Sequence, residues 1–239
     1  MSMIEIRETL GLPAEEILAK RHNLWFGVSD TPWFNDRTRL LQLIFWTLEH
    51  TRQNALVCIP GRLFAVNYFH IDRMSRARAL YCGFMRERQF RGIIEAELGG
   101  IPDRMLIVDY DDLLDPQFVR RRKILYHAFS EEGPFYRRVI DVAGEYLRAR
   151  KRTVTTKFAE AIALYQLQEL PMFLAPIRFK GEFGHMTFPA AVYPGLGPFD
   201  RLARDLVEGW EFPNLSMALR IPEVAEPCGI VSVKLAGEP

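Results

Sequence analysis

Residues 24–34, LWFGVSDTPWF, restrict the fold more than any other stretch. The apolar run 24–28 stops at Ser29, Asp30, Thr31 and Pro32, the signature of a buried strand that ends in a turn. A helical pattern follows at 37–50, with Leu40, Leu41, Ile44, Phe45 and Leu48 forming a one-sided stripe. A second apolar strand, 55–59, ends at Pro60-Gly61. Strand, crossover helix and strand make a βαβ unit, which demands a parallel sheet buried on both faces. Open sheets of this kind bind ligands at the carboxyl edge of their strands. Ser29 is placed at that edge, and Gly27 beside it leaves room for an approaching group. Two readings of Ser29 stand at this point: a nucleophile, or a hydroxyl that caps the next turn.

The rest of the chain extends the pattern. Residues 1–23 read as a lead-in with one short helix, beginning at Pro13 and followed by Glu15 and Glu16. Residues 62–71 are aromatic and without period. A long helix is expected over 72–98, bearing Arg73, Arg76, Arg78, Arg86, Arg88 and Arg91, which do not share one face. It is either a solvated helix or a surface that grips phosphates without reading bases. A strand at 105–108, helices at 116–130 and 134–150, and a helix at 154–170 come next. On the last of these Phe158, Ile162, Tyr165 and Glu169 are spaced 4, 3 and 4, so they form one stripe. A carboxylate on an apolar stripe is either paired or used, unless the helix end lets it reach water. A strand at 185–193 would place Tyr193 at its terminus, and a helix at 199–208 and a strand at 230–235 close the chain. The expectation is one α/β domain over residues 1–239, with about five parallel strands flanked by helices.

Composition narrows the chemistry. Lys plus Arg number 31 against 30 for Asp plus Glu, a net charge of +1, so a nucleic-acid surface has to be local. Cys58, Cys82 and Cys228 are odd in number and widely spaced, which argues for a reducing compartment and against a zinc knuckle. The N-terminus lacks a targeting pattern and no apolar run is long enough for a membrane span, so a soluble cytoplasmic protein is expected. The sequence contains no dinucleotide fingerprint and no P-loop, and its five histidines are scattered. No metal and no cofactor are expected. Gly27-Val28-Ser29-Asp30-Thr31 lacks the second glycine of a hydrolase elbow. A serine without an evident histidine base suits an ester that is already activated, such as an aminoacyl-tRNA.

GVSDTPWF after a strand, Tyr165-x-x-x-Glu169-Leu-Pro-Met-Phe, and Val192-Tyr193-Pro194 together resemble the tRNA-dependent cyclodipeptide synthases over about residues 24–235. Pro32 in the turn and Pro194 after Tyr193 resemble the subgroup described by its Tyr-Pro pair. The resemblance implies a Rossmann-like fold similar to the catalytic domain of tyrosyl- and tryptophanyl-tRNA synthetases. The synthetase signatures for ATP-driven activation are absent from the sequence. It implies that two aminoacyl-tRNAs are the substrates, with acyl-enzyme intermediates on Ser29. Tyr165 and Glu169 would hold the substrate's α-amino group, and Tyr193 would relay a proton in cyclisation. Trp25, Gly27, Val57, Ile59, Met172, Phe173 and Ala191 would line the first aminoacyl pocket. Arg86, Arg88 and Arg91 would contact tRNA phosphates, and the chain would act as a monomer. Two other classes stay open: an α/β serine esterase, which needs a histidine near Ser29, and a non-catalytic tRNA-binding module.

Overall fold

The computed structural model describes residues 4–181, 184–220 and 228–236; the ends of the 1–239 domain expectation therefore lie outside the described residues. In chain order the first elements are β1 Ile4–Leu10, α1 Ala14–Leu18, β2 Leu24–Gly27, α2 Pro32–Asn35 and α3 Arg37–His50. They are followed by β3 Ala55–Cys58, α4 Gly61–His70, α5 Arg76–Leu98 and β4 Met105–Val108. After a 3₁₀ turn at Tyr110–Leu113 come α6 Pro116–Ser130, α7 Pro134–Ala149 and α8 Thr156–Glu169. A second 3₁₀ turn, Leu170–Phe173, leads to β5 Ile177–Gly181, β6 Gly184–Phe188 and β7 Ala190–Tyr193. The last elements are α9 Pro198–Glu208, α10 Pro213–Leu219 and β8 Gly229–Leu235.

Among the described residues the main sheet has six strands in the order β1-β8-β7-β2-β3-β4. Strands β8, β7, β2, β3 and β4 run parallel, as the βαβ pattern predicts, and β1 closes one edge antiparallel to β8. The protein is thus α/β, with a mostly parallel central sheet between layers of helices. Leu24, Phe26, Val28, Val57 and Ile59 join the core on the face covered by α1, α3 and α5. Trp25, Leu56, Cys58, Ala191 and Ile230 join the core on the face covered by α6 to α9. This division is the period of two that a pleat imposes on side chains. Among the described residues no helix is long and apolar enough to cross a membrane.

Four expectations need correction. Residues 62–71 are not irregular but form α4, whose Leu63 faces one core and Phe64 the other. A helix buried on both sides carries no polar stripe, so its period is hidden. The next helix begins at Arg76, not at residue 72. Arg73 takes a left-handed φ of 56°, and the Ser75 hydroxyl caps α5 by accepting from the Arg78 N–H at 3.4 Å. The stretch 185–193 is two strands, because Pro189 has no N–H to give a ladder. β6 pairs with β5 in a separate hairpin, while β7 enters the main sheet. Residues 1–23 hold an edge strand besides their short helix. β1 finds its register, Ile4 opposite Leu235, only through the far end of the chain.

Candidate active site

β2 lies between β3 and β7, so the chain leaves β2 on one side and returns on the other. Such a switch point opens a crevice at the carboxyl ends of the strands. Ser29 lies there, two residues beyond the end of β2. Its turn is closed by the Thr31 N–H donating to the Ser29 carbonyl at 2.9 Å, and the two hydroxyl oxygens are 3.3 Å apart. Asp30, between them, accepts from the Tyr68 hydroxyl at 2.6 Å and from Arg86 Nε at 3.2 Å. The turn is therefore tied to α4 and α5 while Ser29 faces a cavity of about 190 Å³.

Tyr165, Glu169 and Tyr193 line the same cavity as Ser29, from two further elements of the chain. On α8, the Tyr165 hydroxyl donates to Glu169 Oε1 at 2.8 Å, one turn along the stripe read from sequence. From the end of β7, the Tyr193 hydroxyl accepts the Gly27 N–H at 3.1 Å. This bond uses an oxygen lone pair, so the phenol keeps its own proton to donate. A Cβ on Gly27 would come within 2.6 Å of that oxygen, and hence the strand carries glycine here.

Burial sets the electrostatics. It lifts Glu169 to about 7, the Asp200 charge adds to the rise, and the Tyr165 hydrogen bond and Arg150 oppose it. Burial likewise lifts Asp200 to about 6, against the pull of its hydrogen bond from the Gly197 N–H at 2.7 Å. Both phenols, Tyr165 and Tyr193, are pushed well above their ordinary values by burial and by Glu169. A carboxyl that titrates near neutrality beside two protonated phenols can bind an ammonium and take its proton.

Gly27, Met172 and Phe173 reach the cavity with the four catalytic candidates. Trp25 and Ala191, expected in the pocket, are not among the residues lining the cavity: they are register neighbours on β2 and β7, buried in the core on its side of the sheet. The Trp25 ring sits 5.4 Å from Phe173 and 6.2 Å, edge-on, from Tyr193. Val57 and Ile59 do not reach it. They belong to the core on the other face, because the strand's alternation sends Leu56 and Cys58 toward the cavity side instead. On α5, Arg88 is exposed and Arg91 half-buried. Arg86 is engaged inward: besides Asp30 it bonds Asn35 and Gln89 and covers the Phe90 ring at 4.4 Å.

Several cavity residues were not singled out from sequence: Asn67, Tyr146, Arg150, Gln166 and Asp200. Asn67 was hidden with its helix. Gln166 follows Tyr165 and lies beside the narrow stripe of Phe158, Ile162, Tyr165 and Glu169 rather than on it. Asp200 and Arg150 come from helix ends far along the chain, and nothing local announces them. Among the described residues no histidine lines the cavity.

No family model matches the chain, and no curated protein matches it. Solved structures do. A cyclodipeptide synthase from Staphylococcus haemolyticus is similar with a TM-score of 0.71 and 14% identity, over 95% of this chain and 98% of that one. A cyclodipeptide synthase from Bacillus thermoamylovorans gives 0.68 and 15%, over 92% of each chain. A Mycobacterium tuberculosis protein, whose structure relates cyclodipeptide synthetases to type I tRNA synthetases, gives 0.67 and 17%, over 97% and 96%. The shared fold is thus that of proteins related to tRNA synthetases.

Proposed function

We propose that the chain is a cyclodipeptide synthase, an aminoacyltransferase that joins the aminoacyl groups of two aminoacyl-tRNAs into a diketopiperazine. The observation that carries this reading is the convergence of Ser29, Tyr165, Glu169 and Tyr193 on one cavity at the sheet's switch point. Ser29 Oγ attacks the ester carbonyl of the first aminoacyl-tRNA. A new ester forms on Ser29, and the bond to the tRNA ribose breaks, its oxygen leaving with a proton. The α-amine of the bound aminoacyl group then attacks the ester of the second aminoacyl-tRNA, forming a peptide bond and a dipeptidyl-enzyme while the bond to the second tRNA's ribose breaks and its oxygen leaves with a proton. Last, the dipeptide's free amine attacks the Ser29 ester, closing the ring and restoring the hydroxyl.

Each charged group has a task in this sequence. Glu169, ionised above about pH 7, accepts the α-ammonium and takes its proton, with Tyr165 fixing the carboxylate in place. Tyr193, seated by the Gly27 N–H, hands a proton to the departing Ser29 oxygen during ring closure. The absence of histidine from the cavity lining weighs against the esterase class, which needs that base. Arg88 and Arg91 stay available to tRNA phosphates, while Arg86 holds the Asp30 turn. Pro32, at the first position of α2, and Pro194, after β7, fit the Tyr-Pro subgroup.

Expression of the chain in bacteria should release cyclic dipeptides into the medium, read by mass spectrometry. Incubation with charged tRNA should add one aminoacyl mass on Ser29. An adduct elsewhere, or binding of tRNA with no acyl transfer, would overturn the reading.

A further inference from the structure

One wall of the cavity plays no part in the steps above. It is formed where α4 packs against α8, and its polar groups are Asn67 and Gln166, with Tyr146 and Arg150 from the end of α7 beside them. Asn67 is 6% exposed and Gln166 4%. Among the described residues, Asn67 Oδ1 and Gln166 Oε1 are both buried without a hydrogen-bond partner. Two buried acceptors in one cavity wall are costly to a fold unless something comes to donate to them. Elsewhere the lining is of another kind, with Met172, Phe173 and Phe199.

From this contrast we infer that the Asn67–Gln166 wall selects, for one of the two joined residues, an amino acid whose side chain is neutral and donates hydrogen bonds. The inference rests on the aminoacyl-tRNA reading and adds the class of substrate. Gln166 precedes Glu169 by three residues, so the two side chains emerge from one helix face about 5 Å apart. An α-amine held at Glu169 thus leaves a polar group on the same residue's side chain within reach of Gln166. A cationic side chain is disfavoured by Arg150, which lines the same wall. An aliphatic side chain would leave both carbonyls unpaired, and sites built to bond a polar group reject such analogues strongly. The aromatic wall takes the apolar portion of the substrates.

The test is the composition of the cyclic dipeptides made by the full-length chain and by Gln166→Met and Asn67→Leu. The wild type should yield cyclic dipeptides with at least one neutral donor side chain. In each variant that retains its circular dichroism spectrum, the ratio of these to all-apolar products should fall by about tenfold or more. If a variant does not fold, the wild-type composition still decides. Wild-type products built only from side chains without donors would sink the inference and leave the synthase reading intact. A uniform loss of all products at unchanged ratio would also sink it, and would assign the two amides to a ribose hydroxyl common to every substrate. No cyclic dipeptide and no Ser29 adduct in the wild type would remove the synthase reading, and this inference with it.

Discussion

The two faces of the sheet are built from the same strands and have opposite chemistry. Under α3 and α5 the strands present Leu24, Phe26, Val57 and Ile59 to a core of plain hydrocarbon. Toward α8 and α9 the alternate positions lead to a cavity lined by three carboxyls, three phenols, two amides and a guanidinium. The first face stabilises by burying apolar area and asks nothing more of its residues. The second gives up part of that gain. It holds groups whose charged forms are disfavoured by burial, and such strain is stored where chemistry is done. The lesson is that a strand's inward and outward residues cannot be assigned to a site by proximity in sequence. One step along β3 moves a side chain from one regime to the other.

The difference can be broken in four places. The largest effect belongs to Ser29→Ala, which should lower cyclic dipeptide formation by at least about a thousandfold and abolish the acyl adduct. Residual turnover at wild-type rate would show that the cavity's chemistry does not pass through this hydroxyl.

Glu169→Gln comes second, and it acts through pH. The folded carboxyl titrates at about 7 against an ordinary 4.5. Between those values the folded state holds a proton that the unfolded chain has released, so stability falls as pH rises through this window. Below it the contribution is fully present; above about pH 7 up to about 3 kcal/mol has been lost. The glutamine variant should show a shallower slope in urea titrations from pH 4 to pH 8, the remainder coming from Asp200, Glu87 and Asp109, which burial also raises. Wild-type turnover should rise through the same pH range, since only the ionised acid takes a proton. Equal slopes in the two proteins would acquit Glu169 as the titrating group.

Gly27→Ala is third. Its Cβ would press on the Tyr193 oxygen at 2.6 Å, and Tyr193 is packed among Trp25 and Phe173. The substitution should destabilise the protein by about 1–3 kcal/mol and slow ring closure more than Ser29 acylation. Intact-mass traces that accumulate dipeptidyl-enzyme would show this; traces like the wild type's would unseat Tyr193 as the proton relay.

The smallest effect comes from the plain face. Ile59→Val should cost about 1 kcal/mol in urea unfolding and leave the product mixture unaltered. A changed mixture would return Ile59 to the substrate pocket, against its place in the opposite core.

Much of this was legible before any coordinates. The continuous apolar strands at 24–28, 55–59 and 105–108 can be satisfied only by a sheet covered on both sides, and the i, i+4 pair Tyr165 and Glu169 has to share a helix face. Ser29 and Tyr193 follow from strand ends, which turn residues mark locally. Other features depended on partners distant in sequence. β1 becomes a strand because β8 offers it an edge, Arg86 turns inward because Asp30 waits there, and α4 hides its period by facing two cores. Asp200, Arg150, Asn67 and Gln166 become a site only when α4, α7, α8 and α9 close around one cavity. Local sequence determines periodicity and turn chemistry, because those act over a few residues. Burial, and with it the value at which a carboxyl gives up its proton, is set by what the fold brings from elsewhere.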